Sequence, residues 1–304
     1  MSEKHVSGFV SIVGRPNAGK STLLNALLGA KLAIVASKPQ TTRTAVQGVW
    51  TSDAAQVVFL DTPGIHRSDT MFNRRMMMEV RAALDERDLL LYLADCTRPF
   101  VEDDVQALDM IRKAATPVFL VLNKIDQLKE KHRLLPLIEK YREALAFDDY
   151  LPISALKGEG LEELRAAILK KLPEGPAFYP KDELTDQPER FLASEMIREK
   201  LLQLTRDEIP HSLAVIVETW EEKKNLTHIA AAIYVEREGQ KGIIIGSQGS
   251  MLKQAGTSAR LEIEKMLGRK VFLELFVKVR QNWRESPDFL NQLDWRNMRG
   301  MDRQ

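Results

Sequence analysis

Residues Gly14 to Ser21 read GRPNAGKS and fit the pattern G-x-x-x-x-G-K-[ST], placed between a strand-like run, GFVSIVG, and a helix-like run, STLLNALLGA. Glycines at both ends of such a loop let backbone N–H groups curl around phosphate oxygens, and the helix N-terminus behind it adds a positive dipole. In this setting Lys20 neutralises the β- and γ-phosphates and the Ser21 hydroxyl ligates Mg²⁺. Arg15, Pro16, Asn17, Ala18 and Gly19 line the loop, and Thr22 follows in the first turn.

The downstream motifs choose the base and sense the third phosphate. NKID places Asn123, Lys124 and Asp126 after the run TPVFLVL. A carboxylate there accepts both N1–H and the 2-amino group of guanine, and adenine offers no such donor pair, so GTP is favoured over ATP. SAL, with Ser154, Ala155 and Leu156, suits a backbone N–H to the guanine O6. The loop KPQTTR offers Thr42 as the hydroxyl that reaches Mg²⁺ when a γ-phosphate is present, with Thr41 the alternative if the register shifts by one. DTPG supplies Asp61 for Mg²⁺, Thr62 and Pro63 beside it, and the Gly64 N–H for the γ-phosphate. Lys20, Thr42, Gly64 and Asn17 are the candidates for hydrolysis. Taken in order and spacing, these elements resemble the GTPases of the translation-factor class.

The residue after Gly64 is Ile65, where Ras-like GTPases carry a water-orienting glutamine. An isoleucine neither accepts nor donates a hydrogen bond. The pattern resembles GTPases with a hydrophobic replacement here, whose apolar side chain turns away from the phosphates. In related GTPases an asparagine at the position of Asn17 helps bind K⁺, so potassium is an expected second cation. His66 reads as a solvated loop residue, since phosphoryl transfer needs positioning more than a strong base. Met76, Met77 and Met78 are consecutive and cannot share one helix face, so the expectation is mostly core filling.

These loops need a frame that sets them side by side. The first half alternates apolar runs (GFVSIVG, QVVFLD, LLLYLAD, TPVFLVLN, DYLPIS) with helix-like segments. Runs that are apolar throughout suit strands covered on both faces, and strand–helix alternation implies a doubly wound α/β fold with a mostly parallel sheet. The stretch 173–190, PEGPAFYPKDELTDQPER, holds four prolines and no helical period, and reads as an extended linker. The expected division is therefore a P-loop GTPase domain over 1–172, the linker, and a second domain over 191–304.

That second domain has another rhythm: a helix, two strands (SLAVIVETWEE, THIAAAIYVERE), a glycine-bracketed turn, two helical stretches (SMLKQAG, TSARLEIEKMLG) and the strand KVFLELFVKVR. The turn Gly246-Ser247-Gln248-Gly249, read as lying between the apolar strand ending at Ile245 and a helix, matches the G-x-x-G loop of KH domains, which closes on nucleic-acid phosphates. The element order is that of a type II KH domain, an α+β fold. Here Ser247 and Gln248 stand where KH loops usually carry Lys or Arg, which weakens phosphate attraction at the loop. Residues 181–240 carry 8 Lys/Arg against 13 Asp/Glu, whereas 241–304 carry 12 against 7. Lys253, Arg260, Lys278 and Arg280 then mark a basic face that tracks an RNA backbone. The competing reading is a domain that docks a protein or membrane partner.

Composition sets outer limits. With 304 residues, 44% hydrophobic and 29% charged, two globular domains fit comfortably. The one cysteine, Cys96, ends an apolar run and reads as a buried, inert thiol in a reducing compartment. No apolar stretch approaches a membrane span, and the N-terminus carries no secretory apolar region.

GRPNAGKS, KPQTTR, DTPGIH, NKID, SAL, the linker LPEGPAFYPKDELTDQPERF and IIIGSQG followed by VFLELFVKVR together resemble the Era family of bacterial GTPases, which act in small-ribosomal-subunit assembly. The resemblance covers nearly the whole chain. It implies slow GTP hydrolysis without a catalytic glutamine, Ile65 being expected in this family. It also implies a KH domain that binds the 3′ end of 16S ribosomal RNA in the 30S subunit, with binding favoured in the GTP state. A cytoplasmic protein, associated peripherally with the inner membrane, is a further implication, and a monomer is expected.

Overall fold

The computed structural model describes residues 5–38, 40–65, 70–85, 87–206 and 209–298. The chain divides into two compact units: 1–33, 42–68 and 73–186 make the first, and 34–41, 69–72 and 187–304 the second.

The first unit is built on a sheet of six strands: β1 (Val6–Gly14), β2 (Val46–Thr51), β3 (Ala55–Asp61), β4 (Leu89–Asp95), β5 (Val118–Asn123) and β6 (Asp149–Pro152). Their order is β2-β3-β1-β4-β5-β6, parallel except for the antiparallel pair β2–β3. Five helices accompany them: α1 (Lys20–Leu28), α2 (Met71–Ala82), α3 (Glu102–Arg112), α4 (Leu134–Ala144) and α5 (Leu161–Lys171). Leu90, Tyr92 and Ala94 join one core with Val80, Leu108, Leu137 and Tyr141. Their neighbours Leu89, Leu91 and Leu93 are equally buried and, by the alternation of a strand, point to the other face. Covering on both faces is what the continuous apolar runs required. Cys96 lies in this core, and burial pushes its thiol up to about 12. Met76 and Met77 are buried while Met78 is 63% exposed.

Two features of this unit differ from the sequence reading. Strand β2, VQGVWT, is additional: polar Gln47 and Gly48 interrupt the apolar pattern of an edge strand. The second concerns the segment 173–190, which is not an extended linker over its whole length. As far as Asp186 it packs on the first unit. Ser7 Oγ donates to the Pro176 carbonyl (2.7 Å), Phe178 N–H to Gln56 Oε1 (2.7 Å), Val49 N–H to the Leu184 carbonyl (2.8 Å) and Thr185 Oγ1 to the Gln47 carbonyl (2.6 Å). The segment thus satisfies backbone groups that edge strand β2 would otherwise leave open.

The second unit runs α6 (Glu189–Leu204), α7 (Ile209–Ser212), β7 (Ala214–Lys223), β8 (Leu226–Val235), α8 (Glu238–Ile245), α9 (Ser250–Leu267), β9 (Lys270–Val279) and α10 (Pro287–Leu293). Strands β7 and β8 are antiparallel, β8 and β9 parallel, in the order β7-β8-β9. Residues of α6, α8 and α9, among them Ile197, Leu201, Ile244, Ala255 and Ile263, form one core with Ile229, Ile233 and Val271. The apolar run ending at Ile245 is helical rather than a strand. Gln240 Oε1 accepts from the Glu236 and Arg237 N–H groups (2.9 and 3.1 Å) and starts the turn, and only Ile244 of the three isoleucines is fully buried. SMLKQAG and TSARLEIEKMLG are one continuous helix, because Gly256 sits close against Leu275 instead of breaking it.

The stretch Ile34–Thr41 belongs to this second unit. Ile34 enters its core, Val35 N–H donates to Glu199 Oε1 (2.8 Å), and the buried Arg198 guanidinium donates to the Thr41 carbonyl.

Candidate nucleotide site and nucleic-acid groove

The loop between β1 and α1 carries the first group of site residues. Gly19 has φ +101°, and a Cβ there would lie 2.3 Å from Asn123 Nδ2. Gly19→Ala should therefore lower kcat/KM for GTP about 100-fold, as misplacement of a phosphate loop would. Steady-state hydrolysis checks this, and a rate close to that of the parent protein would contradict it. Lys20 is buried, and Nζ donates to the carbonyls of Gly14 (3.2 Å) and Arg15 (3.0 Å). Burial pushes its ammonium down to about 8, against the opposing pull of the Asp61 charge.

Three oxygen-bearing side chains meet beside it. Ser21 Oγ donates to Asp61 Oδ2 (2.6 Å), lies 2.7 Å from Thr42 Oγ1, and Thr42 Oγ1 donates to the same carboxylate oxygen (3.2 Å). Burial pushes the Asp61 carboxyl up to about 6, opposed by the Lys20 charge and by the hydrogen bonds from Ser21 and Thr42. Its other oxygen, Oδ1, is buried and has no hydrogen-bond partner. Hard oxygens around an unsatisfied carboxylate suit Mg²⁺, which is bound through one or two carboxylates together with phosphates and water rather than by an all-protein cage. Among the described residues no cluster of His, Cys, Asp or Glu offers a separate metal cage. In KPQTTR, Thr41 Oγ1 donates to the Lys38 carbonyl (2.6 Å) within its own loop, whereas Thr42 faces the carboxylate.

At the ends of β5 and β6 the base-selecting motifs interlock. Asn123 Nδ2 donates to the Ala18 carbonyl (2.8 Å) and Asn123 Oδ1 accepts from Ala155 N–H (2.9 Å), tying the phosphate loop to SAL. Ser154 Oγ donates to Asp126 Oδ1 (2.6 Å), and Leu156 is 71% exposed beyond them. Lys124 Nζ reaches the Asn17 carbonyl (2.8 Å) and Asp95 Oδ2 (2.6 Å). Asp95 was absent from the sequence reading. Its one signal is an acidic residue closing the run LLLYLAD, with Thr97 N–H and Oγ1 donating to its Oδ1.

Several residues of DTPG and the position after it turn their side chains elsewhere than the hydroxyl–carboxylate cluster. Thr62 is buried and its hydroxyl donates to the Ile12 carbonyl (2.9 Å). Gly64 lies against Pro16. Ile65 N–H donates to the Gly14 carbonyl (3.1 Å), while its side chain enters the core with Val13, Met77, Val80 and Tyr92. It is thus turned away from Lys20 and Asp61. His66 lies outside the described residues.

In the second unit Gly246 has φ +74°, and a Cβ would lie 2.8 Å from Met251 N, so the G-x-x-G turn needs its first glycine. Ser247 and Gln248 are exposed at the tip. An open groove of about 370 Å³ begins at Gly249 and runs between α9 and β9, lined by Leu252, Lys253, Gly256, Thr257, Arg260, Leu273 and Leu275. Lys253 and Arg260 are therefore brought together with the loop. Lys278 and Arg280 are not. Lys278 has the opposite strand parity to Leu273 and Leu275 and so projects from the other sheet face, and Arg280 follows the end of β9. Lys278 pairs with Glu218 (2.6 Å) and the Arg280 guanidinium covers the Phe289 ring at 4.5 Å.

A phosphate loop, the NKID and SAL motifs tied to it, a hydroxyl–carboxylate cluster and a G-x-x-G domain on one chain define a GTPase joined to a KH domain. Family models agree: residues 9–124 match the model described as a 50S ribosome-binding GTPase, and residues 208–284 match the KH domain. The chain is 49% identical over 291 residues to GTPase Era of Geobacter metallireducens, covering 95% of this chain and 97% of that one. It is 48% identical to GTPase Era of Syntrophus aciditrophicus, covering 95% of each. The chain belongs to the Era family of GTPases. A crystal structure of Era in complex with MgGDPNP and nucleotides 1506–1542 of 16S ribosomal RNA superposes with a TM-score of 0.93 at 41% identity, over 96% of this chain and 99% of that one. A variant of Aquifex aeolicus Era bound to GDP·AlF4⁻ gives 0.92 at 42% identity, over 95% and 99%.

Proposed function

We propose that this GTPase binds the 3′ end of 16S ribosomal RNA through its KH groove, assists small-subunit assembly, and uses GTP hydrolysis to time release. The observation that carries the reading is the groove itself, where the G-x-x-G turn, Lys253 and Arg260 line one apolar floor. It supports single-stranded RNA, whose phosphates meet the turn and basic residues while bases lie on the aliphatic side chains. One relative of known structure was crystallised with nucleotides 1506–1542 of 16S ribosomal RNA, which supports the choice of ligand.

In the nucleotide site, Lys20 and the loop N–H groups stabilise negative charge on the phosphates. Ser21, Thr42 and Asp61 would hold Mg²⁺, which supplies charge neutralisation across the phosphates. A water oxygen attacks the γ-phosphorus, the bond to the bridging oxygen breaks, and the water proton passes to phosphate. Thr42 and Gly64 position that reaction and leave with the phosphate. Asn17, whose carbonyl Lys124 anchors, would stand beside a potassium ion. Turnover in K⁺ buffer should exceed that in Na⁺ buffer, and equal rates would remove the second cation. No described helix is long and apolar enough to cross a membrane. The same reading makes the protein a cytoplasmic monomer, and any association with the inner membrane peripheral.

The test is binding of an RNA matching the 16S 3′ end, with a non-hydrolysable GTP analogue or GDP, at several salt concentrations. Tighter, salt-sensitive binding in the GTP-like state is expected. Lys253→Ala and Arg260→Ala should each lower the slope of log affinity against log salt by roughly 0.7, the share of one phosphate on a single strand. Lys278→Ala should leave it unchanged. Absence of RNA binding in both states would assign the groove to a protein or membrane partner.

A further inference from the structure

Asp104, on the first turn of α3, is 1% exposed and uses all the acceptor capacity of its carboxylate. Oδ1 accepts from the Tyr92 hydroxyl (3.0 Å) and the Tyr141 hydroxyl (2.9 Å). Oδ2 accepts from Arg15 Nη1 (3.0 Å) and the Val101 N–H (3.0 Å). Both tyrosines are pushed well above the usual phenol range, by burial first and then by neighbours that include the Asp104 charge, so both stay protonated donors. A buried carboxylate persists only when paired and hydrogen-bonded, and this one is pinned from β4, α3 and α4 at once.

The arm that leaves this cluster is Arg15, the second residue of GRPNAGKS. Its side chain is drawn down to Asp104, with Asp103 further off at 3.8 Å. Its carbonyl, in turn, accepts from Lys20 Nζ (3.0 Å) and Ala18 N–H (3.4 Å). A rigid carboxylate therefore fixes a guanidinium, and the same residue's carbonyl carries the phosphate-binding lysine. We propose that Asp104 is a positioning residue for nucleotide binding, holding the phosphate loop open and preformed through Arg15. The proposal rests on reading Gly14–Ser21 as the phosphate loop. A preformed loop spares nucleotide binding the ordering of a flexible glycine-containing segment, so its loss weakens GDP and GTP alike.

The experiment uses the full chain with Asp104→Asn, Arg15→Gln and the double variant, measuring release of a fluorescent GDP analogue and steady-state GTP hydrolysis. Each single variant should release GDP about tenfold faster and raise KM similarly, the scale of one charge-assisted hydrogen bond, with kcat kept within about twofold. The double variant should be no worse than the more severe single one, since both break the same arm. Loss of folded protein alone would instead lower kcat and leave KM in place. That pattern, release and KM within about twofold of the parent, or effects that multiply in the double variant, would overturn the proposal. Should Asp104→Asn fail to fold, Arg15→Gln decides, because that side chain is the partly exposed end of the arm. Lys20→Ala separates the two levels. If it binds GDP as the parent does, the phosphate-loop reading falls and the proposal with it; if it loses GDP while the other variants do not, only the positioning role falls.

Discussion

Asp126→Asn should exchange the base that the protein binds, from guanine to xanthine. In the parent the Ser154 hydroxyl donates to Asp126 Oδ1, holding a carboxylate that has acceptors to offer and no donor. Guanine presents two donors there, N1–H and the 2-amino group. Asparagine keeps one acceptor and replaces the other with an NH₂, so guanine meets donor against donor. Xanthine carries a carbonyl in place of the amino group and restores one bond of each sense. The loss for GDP should be roughly 10³-fold, because two groups that binding has removed from water go unpaired. Binding of xanthosine diphosphate should rise to within about tenfold of the parent's affinity for GDP. Calorimetric titration with both nucleotides checks this, and GDP affinity within tenfold of the parent would mean that Asp126 does not face the base.

The site is more legible in the sequence than the frame around it, for a physical reason. Each nucleotide motif is a short contiguous loop at the end of a strand, so residue type and spacing nearly determine where its backbone points. GRPNAGKS, DTPG, NKID and SAL come together because β1, β3, β5 and β6 are parallel and end on one side of the sheet. Asp95 and Asp104 escaped notice because each acts at a distance in sequence, Asp95 on Lys124 and Asp104 on Arg15. Nothing local to an acidic residue on a helix start or strand end says which cation it will meet. Strand β2 was hidden by its glycine and glutamine, and its edge is completed by Leu184 from far along the chain. In the second domain a count of basic residues carried no information about sheet faces. Strand parity does carry it, and separates Lys278 from the groove lined by Leu273 and Leu275.

The same distinction between a residue's place in the motif and its place in the fold governs Ile65. Restoring the glutamine that other GTPases carry at this position should fail to speed hydrolysis and should cost stability. Ile65 is 7% exposed and packs with Val13, Met77, Val80, Leu84 and Leu90. Its backbone is committed as well, since its N–H donates to the Gly14 carbonyl at the mouth of the phosphate loop. A glutamine following that backbone carries its amide into an apolar core, where a lost branched side chain and an unpaired polar group together cost roughly 2–4 kcal/mol. For a unit of this size that corresponds to a fall in Tm of about 5–15 °C. Ile65→Leu, which keeps the volume and the chemistry, should shift Tm by about a third of that or less. Thermal unfolding of the GDP-bound proteins, with single-turnover GTP hydrolysis measured well below Tm, distinguishes the outcomes. A stable Ile65→Gln protein with faster hydrolysis would show that the side chain can leave the core and reach the attacking water. The expected result, a less stable protein with an unchanged or slower rate, places the whole of catalysis on Lys20, the loop N–H groups, the hydroxyl–carboxylate cluster and bound cations.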